Sequence, residues 1–297
     1  MSSTPVSSAE IPRGQSRLDT LAPRSYRPRM SRRACLSAFL GLAAFASAEG
    51  IAPRPLRTEQ IQGAEFLESL SIPNAGELFA AFGKIGKPDW TAYFRKPPPA
   101  SITSRPLIAL NLGTLIADGF LAAEAQDRQQ VKNVSREIKL LAKSIGLEQE
   151  FMVRNNSIAD FADGRQWEAL DEELEAVQSE FAAAMSSQRD DELATLMALG
   201  CWLRSIEIVS AHLASNYTTD SAGILRQPAV GEFFTARLSA FQAKVATIPA
   251  IAEIHHRFPA LVVALSFPME TPPSNEAVTS LHRLAARMID LLITQEK

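Results

Sequence analysis

One stretch constrains this chain more than any other: Pro106-LIALNLGTLIADGFLAAEA-Gln126. A helix that is apolar on nearly every side cannot lie on a surface, so it has to be an inner element with others packed round it. Within it, Asn111, Thr114 and Asp118 are three and four residues apart and share one stripe. Gly113 and Gly119 lie beside that stripe, where a missing side chain lets another backbone come close. An ionised carboxylate at such depth needs a partner.

A second helix poses the same question. The run from Glu192 to Ser215 is also strongly apolar, and its core, Gly200-CWLRSIEIVSAHL-Ala214, carries Arg204 and Glu207 three residues apart, with Gly200 and Ala211 on the same stripe. The expectation is that the two helices pack together and that Arg204 pairs with Asp118, with Asn111 and Glu207 completing a buried polar cluster. The plain role for such a cluster is an internal ion pair that fixes helix register. The functional role is a pocket for a small polar ligand, which requires an adjoining cavity. The cluster is expected to be sealed.

Around this pair the periodicity is helical throughout. Val131, Val134, Ile138, Leu141 and Ile145 form the apolar face of a helix over 128–145 that ends at Gly146. Lys132, Arg136, Lys139 and Lys143 form a basic stripe on the same helix. A shorter helix is expected over 157–163, closed by Gly164. A long one follows over 166–185, with Trp167, Leu170, Leu174, Val177 and Phe181 inward and Glu168, Asp171, Glu172 and Glu175 outward. Both charged stripes read as solvated faces. Pro249, Pro259 and Pro268 are expected to break the following stretch into short helices. A final helix after Ser274 turns Val278, Leu281, Leu284, Met288, Leu291 and Leu292 inward, toward its own core or toward a second copy of the chain. No stretch alternates with a period of two, so no sheet is expected.

The fold class is therefore all-α: a multi-helix bundle or irregular antiparallel helical array without a sheet. The segment 158–179 resembles a tetratricopeptide hairpin, in which a Gly and an aromatic residue open a helix. It spans one repeat, and no second copy follows at a spacing of about 34 residues. Four regions are expected: a disordered or non-translated leader over 1–29, an export signal over 30–48, a linker with short helices over 49–99, and a helical domain over 100–297. In the linker region, Asn74 opens a short helix bearing Leu78, Phe79 and Phe82, and Trp90, Tyr93 and Phe94 are expected to be buried under the main body.

The signal is read from charge and length. Residues 1–48 hold seven Arg, no Lys and two acidic residues, a net of +5, whereas the remainder has 23 basic and 31 acidic residues, a net of −8. Arg32 and Arg33, the apolar run Ala34 to Phe45, and Ala46-Ser47-Ala48 have the order of an export signal cleaved after Ala48. The apolar run is shorter than the roughly 20 residues of a bilayer span, so no stable membrane span is expected in the mature chain. Ser31-Arg32-Arg33-Ala34-Cys35-Leu36 resembles the twin-arginine motif, with Cys35 where that motif usually has Phe. Both the Sec and the twin-arginine routes remain open, and the expected destination is periplasmic or secreted. Met30 is an alternative start to Met1.

Chemistry-bearing motifs are scarce. With Cys35 removed, Cys201 stands alone in an apolar run and reads as a core residue. His255 and His256 are adjacent, so they point about 100° apart on a helix and suit no metal. No HExxH, GxSxG, phosphate-binding Gly-rich loop, CxxCH or Cys-rich pattern is present. No metal and no cofactor are therefore expected, and the reading leans away from an enzyme. The acidic mature chain disfavours nucleic acid as a partner. What remains is an exported helical protein of the bacterial cell envelope that binds an unidentified protein or a small polar ligand, the alternative being a periplasmic enzyme or small-ligand-binding protein that uses the polar cluster between the two apolar helices. Its last helix is compatible with a homo-oligomer.

Overall fold

The computed structural model describes residues 74–86, 88–98 and 102–293. The leader, the export signal at 30–48 and residues 49–73 lie outside the described residues. Among the described residues there are helices and no strand. The protein is all-α.

The inner element is α2, Arg105–Glu124, whose residues from Leu107 to Ala123 are all buried. Pro106 sits in its first turn, where the missing N–H costs no hydrogen bond. Ser104 is the N-cap residue but its hydroxyl makes no capping bond. The chain then reverses four times, through α3 (Arg128–Ile145), α4 (Glu148–Gly164), α5 (Trp167–Ser187) and α6 (Asp191–Ser215). Each reversal has a residue in the left-handed region: Gln126, Gly146, Arg165 and Arg189. Only one is a glycine; the others accept about 1–2 kcal/mol of local strain for a tight turn.

Four antiparallel reversals bring α6 back alongside α2 in the same direction. Contacts spaced along both helices show it: Arg105 pairs with Asp190 at 2.8 Å, and Asp118 pairs with Arg204 at 2.8 Å. Between these contacts the two backbones meet. A Cβ built on Gly113 would fall 1.9 Å from the Met197 carbonyl oxygen, and one on Gly200 would fall 2.0 Å from that of Leu110. The expected array is antiparallel between neighbours in sequence, but its central pair is parallel.

The remaining elements cover this pair. Helix α1, Ala75–Gly86, lies against α2 and α6 and inserts Phe79 and Phe82. Asn74 and Glu77 form a reciprocal capping box at its start, with Glu77 N–H donating to Asn74 Oδ1 at 2.7 Å and Asn74 N–H to Glu77 Oε2 at 3.1 Å. A 3-10 turn, Trp90–Tyr93, follows and packs on α2. After α6 come the single turn α7 (Thr219–Ala222), then α8 (Pro228–Ser239), the single turn α9 (Ala243–Ala246), α10 (Pro249–Leu265) and α11 (Asn275–Ile293). Helix α11 packs against α6 and α10, so its buried Val278, Leu281, Met288 and Leu292 belong to this chain's own core.

Two expectations about helix boundaries fail for physical reasons. Pro259 does not break α10 but lies inside it. Pro259 and His255, whose carbonyl loses its i+4 donor, are both exposed, while Ile251, Ile254, Phe258 and Leu261 keep one buried face running through. Helix α4 begins at Glu148 rather than near residue 157. Its added turns are held from outside, by buried Phe151 and by Arg154, which pairs with Glu173 at 2.9 Å and Glu180 at 2.6 Å on α5.

Candidate functional site

The polar cluster forms where α2 and α6 part beyond the glycine crossing. Asp118 is one buried end of it. Arg204, 3% exposed, donates from Nε to Asp118 Oδ1 at 2.8 Å, from Nη2 to the Tyr93 carbonyl at 2.6 Å, and from Nη1 to Glu207. The other Asp118 oxygen accepts from Arg95 Nε at 2.9 Å. Burial alone would raise the Asp118 pKa, but the two guanidinium groups outweigh it and hold the carboxyl below its usual range. Arg204 is likewise desolvated, yet Asp118 and Glu207 keep its pKa raised.

The structure thus brings together Asp118, Arg204 and Glu207, and it leaves Asn111 apart. Asn111 sits seven residues before Asp118, about 10 Å along the helix axis. Its side-chain nitrogen donates back to the Leu107 carbonyl at 2.9 Å, and its Oδ1 is buried without an acceptor role in the cluster. Asn111 is therefore not a member of this site. The place assigned to it is taken by Arg95, which periodicity did not single out. Its only sequence signal is a cation directly after the apolar trio Trp90, Tyr93 and Phe94, just before a proline run.

Arg95 arrives on residues 88–98, which cross the α2/α6 pair as a strap. Asp89 caps the 3-10 turn through Thr91 N–H at 3.1 Å. Trp90 packs on Phe79 and Phe82 at ring-centroid distances of 5.3 and 6.1 Å. The Tyr93 hydroxyl lies 2.9 Å from His212 Nδ1 on α6. Burial raises the Tyr93 pKa and lowers that of His212, so both are held neutral. Tyr93 is fixed at both ends, by Arg204 at its carbonyl and by His212 at its hydroxyl, and this fixes where Arg95 enters.

Beside Asp118, the expectation of a sealed cluster holds on one side only. Among the described residues, Arg204 lines none of the larger cavities. Arg95 and Asp118 line one of about 230 Å³, wedged between α2 and α3 beneath the end of the strap. Leu115, Val134 and Pro97 give it apolar walls, while Gln130, Asn133, Arg136 and Glu137 supply polar groups from α3. Their spacing of three and four residues places these α3 positions on one face. The two terminal nitrogens of Arg95 are buried and find no acceptor among the described residues. Gln130 Oε1 accepts from Asn133 at 3.4 Å, which leaves the Gln130 amide nitrogen to donate elsewhere.

No protein-family model matches the chain, and no curated protein or solved structure is significantly similar to it. The site's own chemistry has to carry the reading.

Other groups divide from this site clearly. A recess of about 400 Å³ near the start of α2 and α6 is lined by Arg105, Asp190 and Glu192, which already bind one another or nearby backbone. The basic stripe is partly neutralised, with Lys132 on Asp163 at 2.7 Å and Lys143 near Glu148 at 3.7 Å. Cys201 is buried, and burial pushes its thiol up to about 12. His255 and His256 are exposed, and among the described residues no group of three or more His, Cys, Asp or Glu could hold a metal ion. Asp171 is pushed up to about 7 by burial and by the charges of Glu124, Glu175 and Glu168, but it does not line the cavity. Helices α2 and α6 are long and apolar enough to cross a membrane, and both are buried within the fold.

Proposed function

We propose that this is an exported binding protein of the bacterial cell envelope that holds a small polar ligand in the cavity beneath the strap. One observation carries the reading: a cavity of about 230 Å³ opens beside the buried cluster, lined by Arg95 and Asp118 together with Gln130 and Asn133. Binding fits the cluster better than catalysis does. Asp118 is held ionised between two arginines, Glu207 is tied to Arg204, and the Cys201 thiol is far from its reactive form. Neither Asp118 nor Cys201 is poised to exchange a proton near neutral pH.

Export rests on Arg32, Arg33, the apolar run after them and the Ala46-Ser47-Ala48 cleavage site. One experiment addresses both parts of the proposal. The chain is purified from the envelope of its native cells, its first residue is read by mass spectrometry, and its intact mass is measured under native conditions. The expected result is a chain beginning at Glu49 with a small non-covalent adduct. A first residue upstream of Arg33 overturns export, and a bare polypeptide mass overturns the ligand.

A further inference from the structure

We propose that α1 is a pH-sensitive clasp, held against the body while a proton sits among the carboxyls of Glu124, Asp171 and Glu175 and loosened when that proton leaves. The device is separate from the cavity beneath the strap and does not depend on what that cavity binds.

Four carboxylates gather where the end of α2 meets α5. Asp171 feels the charges of Glu124, the last residue of α2, and of Glu175 and Glu168, which lie one turn to either side of it on α5. The negative end of the α2 dipole lies here too. No cation answers them. Helix α5 contains neither Lys nor Arg. The cations of the helices packed on α5 are committed elsewhere: Arg105 of α2 to Asp190, Arg154 of α4 to Glu173 and Glu180, and Arg204 of α6 to Asp118 and Glu207. His212 of α6 faces Tyr93, and Glu77 of α1 is taken up by its own capping box. Lys84 of α1 and Arg165, in the turn before α5, are exposed, and neither is among the charges acting on Asp171.

The proton has a place to go. Asp171 Oδ1 is buried and accepts no hydrogen bond among the described residues. As part of a carboxylate that oxygen needs a donor or water; as part of a neutral acid it carries no charge to solvate. Burial, with the neighbouring carboxylates, pushes Asp171 up to about 7, and burial raises Glu124 as well. The cluster therefore changes charge across the neutral range rather than near the ordinary carboxylate pKa of about 4.

Helix α1 touches this cluster at both ends. Asn74 Nδ2 donates to Glu175 Oε1 at 2.7 Å, and a Cβ built on Gly83 would lie 3.8 Å from Glu124 Oε2. Helix α2 is buried along nearly its whole length, and α5 is pinned to α4 through Arg154, whereas α1 meets α5 through the side chain of Asn74. Ionising Asp171 adds repulsion and a demand for water, and α1 is the element that can yield to both. Phe79 and Phe82 pack on Trp90 at ring-centroid distances of 5.3 and 6.1 Å, so movement of α1 passes to the strap. The clasp is thus closed below about pH 7 and loosens as pH rises through it.

Hydrogen exchange of the full chain tests this, read by mass spectrometry at about pH 5.5, 7 and 8.5 with a chelator present. Rates for peptides within 74–86 and 88–98 are taken as the ratio of wild type to Asp171→Asn, in which the intrinsic pH dependence of exchange cancels. The ratio is expected to be near one at the lowest pH. At the highest it should rise roughly 10-fold, the equivalent of about one pKa unit out of the rise from 3.8 to about 7. Glu124→Gln removes one neighbouring charge and should flatten the wild-type profile in part. Glu172→Gln removes an exposed acid of α5 outside the cluster and should follow the wild type. Peptides from α10 and α11 should keep a ratio near one throughout. A flat ratio over 74–98 overturns the clasp. An equal rise in α10 and α11 overturns it as well, because the proton then stabilises the whole fold and not the seating of α1.

Discussion

The closeness of α2 and α6 can be tested by adding one carbon atom. Gly113→Ala places a Cβ 1.9 Å from the Met197 carbonyl oxygen, and Gly200→Ala places one 2.0 Å from that of Leu110. Ordinary contact begins at 3.4 Å, so the shortfalls are 1.5 and 1.4 Å. Both obstacles are helix backbone, which cannot rotate aside as a side chain can. The helices must therefore part by about that distance, and a gap of 0.5–1 Å already forfeits roughly a quarter to a half of each dispersion contact along the interface. Overpacking of this kind costs about 3 kcal/mol or more. Alanine returns roughly 1 kcal/mol through its better helix propensity. Each variant should therefore lose about 2 kcal/mol net, a fall in Tm of roughly 4–8 °C for a chain of this size. The double variant should lose less than the sum, because one separation relieves both clashes. Gly223→Ala is the matched control: its Cβ meets nothing within 4 Å, its φ is −59°, and it should be neutral or stabilising by about 0.4–1 kcal/mol. Urea unfolding followed by helical circular dichroism measures all four. The crossing is refuted if Gly113→Ala and Gly200→Ala behave like Gly223→Ala.

Three further perturbations probe the surroundings of that crossing. Arg204→Met strips a donor from Asp118, Tyr93 and Glu207, but Asp118 keeps Arg95; the expected loss is about 3 kcal/mol, at the low end for a broken buried pair, and faster proteolysis within residues 88–98 should accompany it, so unchanged stability would remove Arg204 as the anchor. Tyr93→Phe removes the hydroxyl 2.9 Å from His212 Nδ1 and should cost about 1 kcal/mol in urea unfolding; a neutral result would show that the strap is not tied there. Asp171→Asn should be stabilising and pH-dependent, because the folded carboxyl is raised to about 7 and binds protons that the unfolded one has released. Wild-type stability from this group is thus lost as pH rises through about 7, so the advantage of the variant in Tm should grow from about pH 5 to 7 and level off above; a flat difference across that range would contradict the sign.

What could be read from the residues, and what could not, follows from how local each signal is. The apolar stretches around Asp118 and Arg204 mark inner helices without ambiguity, and charge inside both leads directly to the pairing of those two residues. Helix α3 is read from its apolar stripe and its closing Gly146, which lie within one segment, and the structure adds an N-cap at Asp127. Helix α4 is lost over nine residues because Arg154 and Phe151 are held by α5, a partner that no local pattern displays. Pro259 misleads for a related reason: its cost is borne because the stranded carbonyl lies on an exposed side and the buried face of α10, set by packing, runs on past it. Asn111 shares a stripe with Asp118, but seven residues of helix separate them by two turns. Arg95 stays hidden because it lies in a strap with no regular period, and only the fold sets it against Asp118.

The parallel course of α2 and α6 gives the polar cluster its place. Their backbones touch near Gly113 and Gly200, and about 6–8 Å further along the axes the diverging helices leave a wedge at Asp118 and Arg204. Stability alone does not demand charges there, since a well-packed apolar set of similar volume is typically as stable as a buried ion pair. An apolar plug could fill the wedge, but it could not accept from one arginine and fix another. Asp118 does both. One oxygen takes Arg204, which in turn holds the strap through the Tyr93 carbonyl. The other takes Arg95 at Nε, on a side chain that lines the cavity. The glycines set the wedge, the wedge admits the strap, and Asp118 fixes the guanidinium that the strap delivers. That sequence of dependences makes Asp118 the residue that positions Arg95 at the edge of the cavity. Asp118→Asn should therefore loosen the strap, read as faster proteolysis within residues 88–98, whereas Arg136→Gln, at an exposed position on α3, should leave the strap as it is.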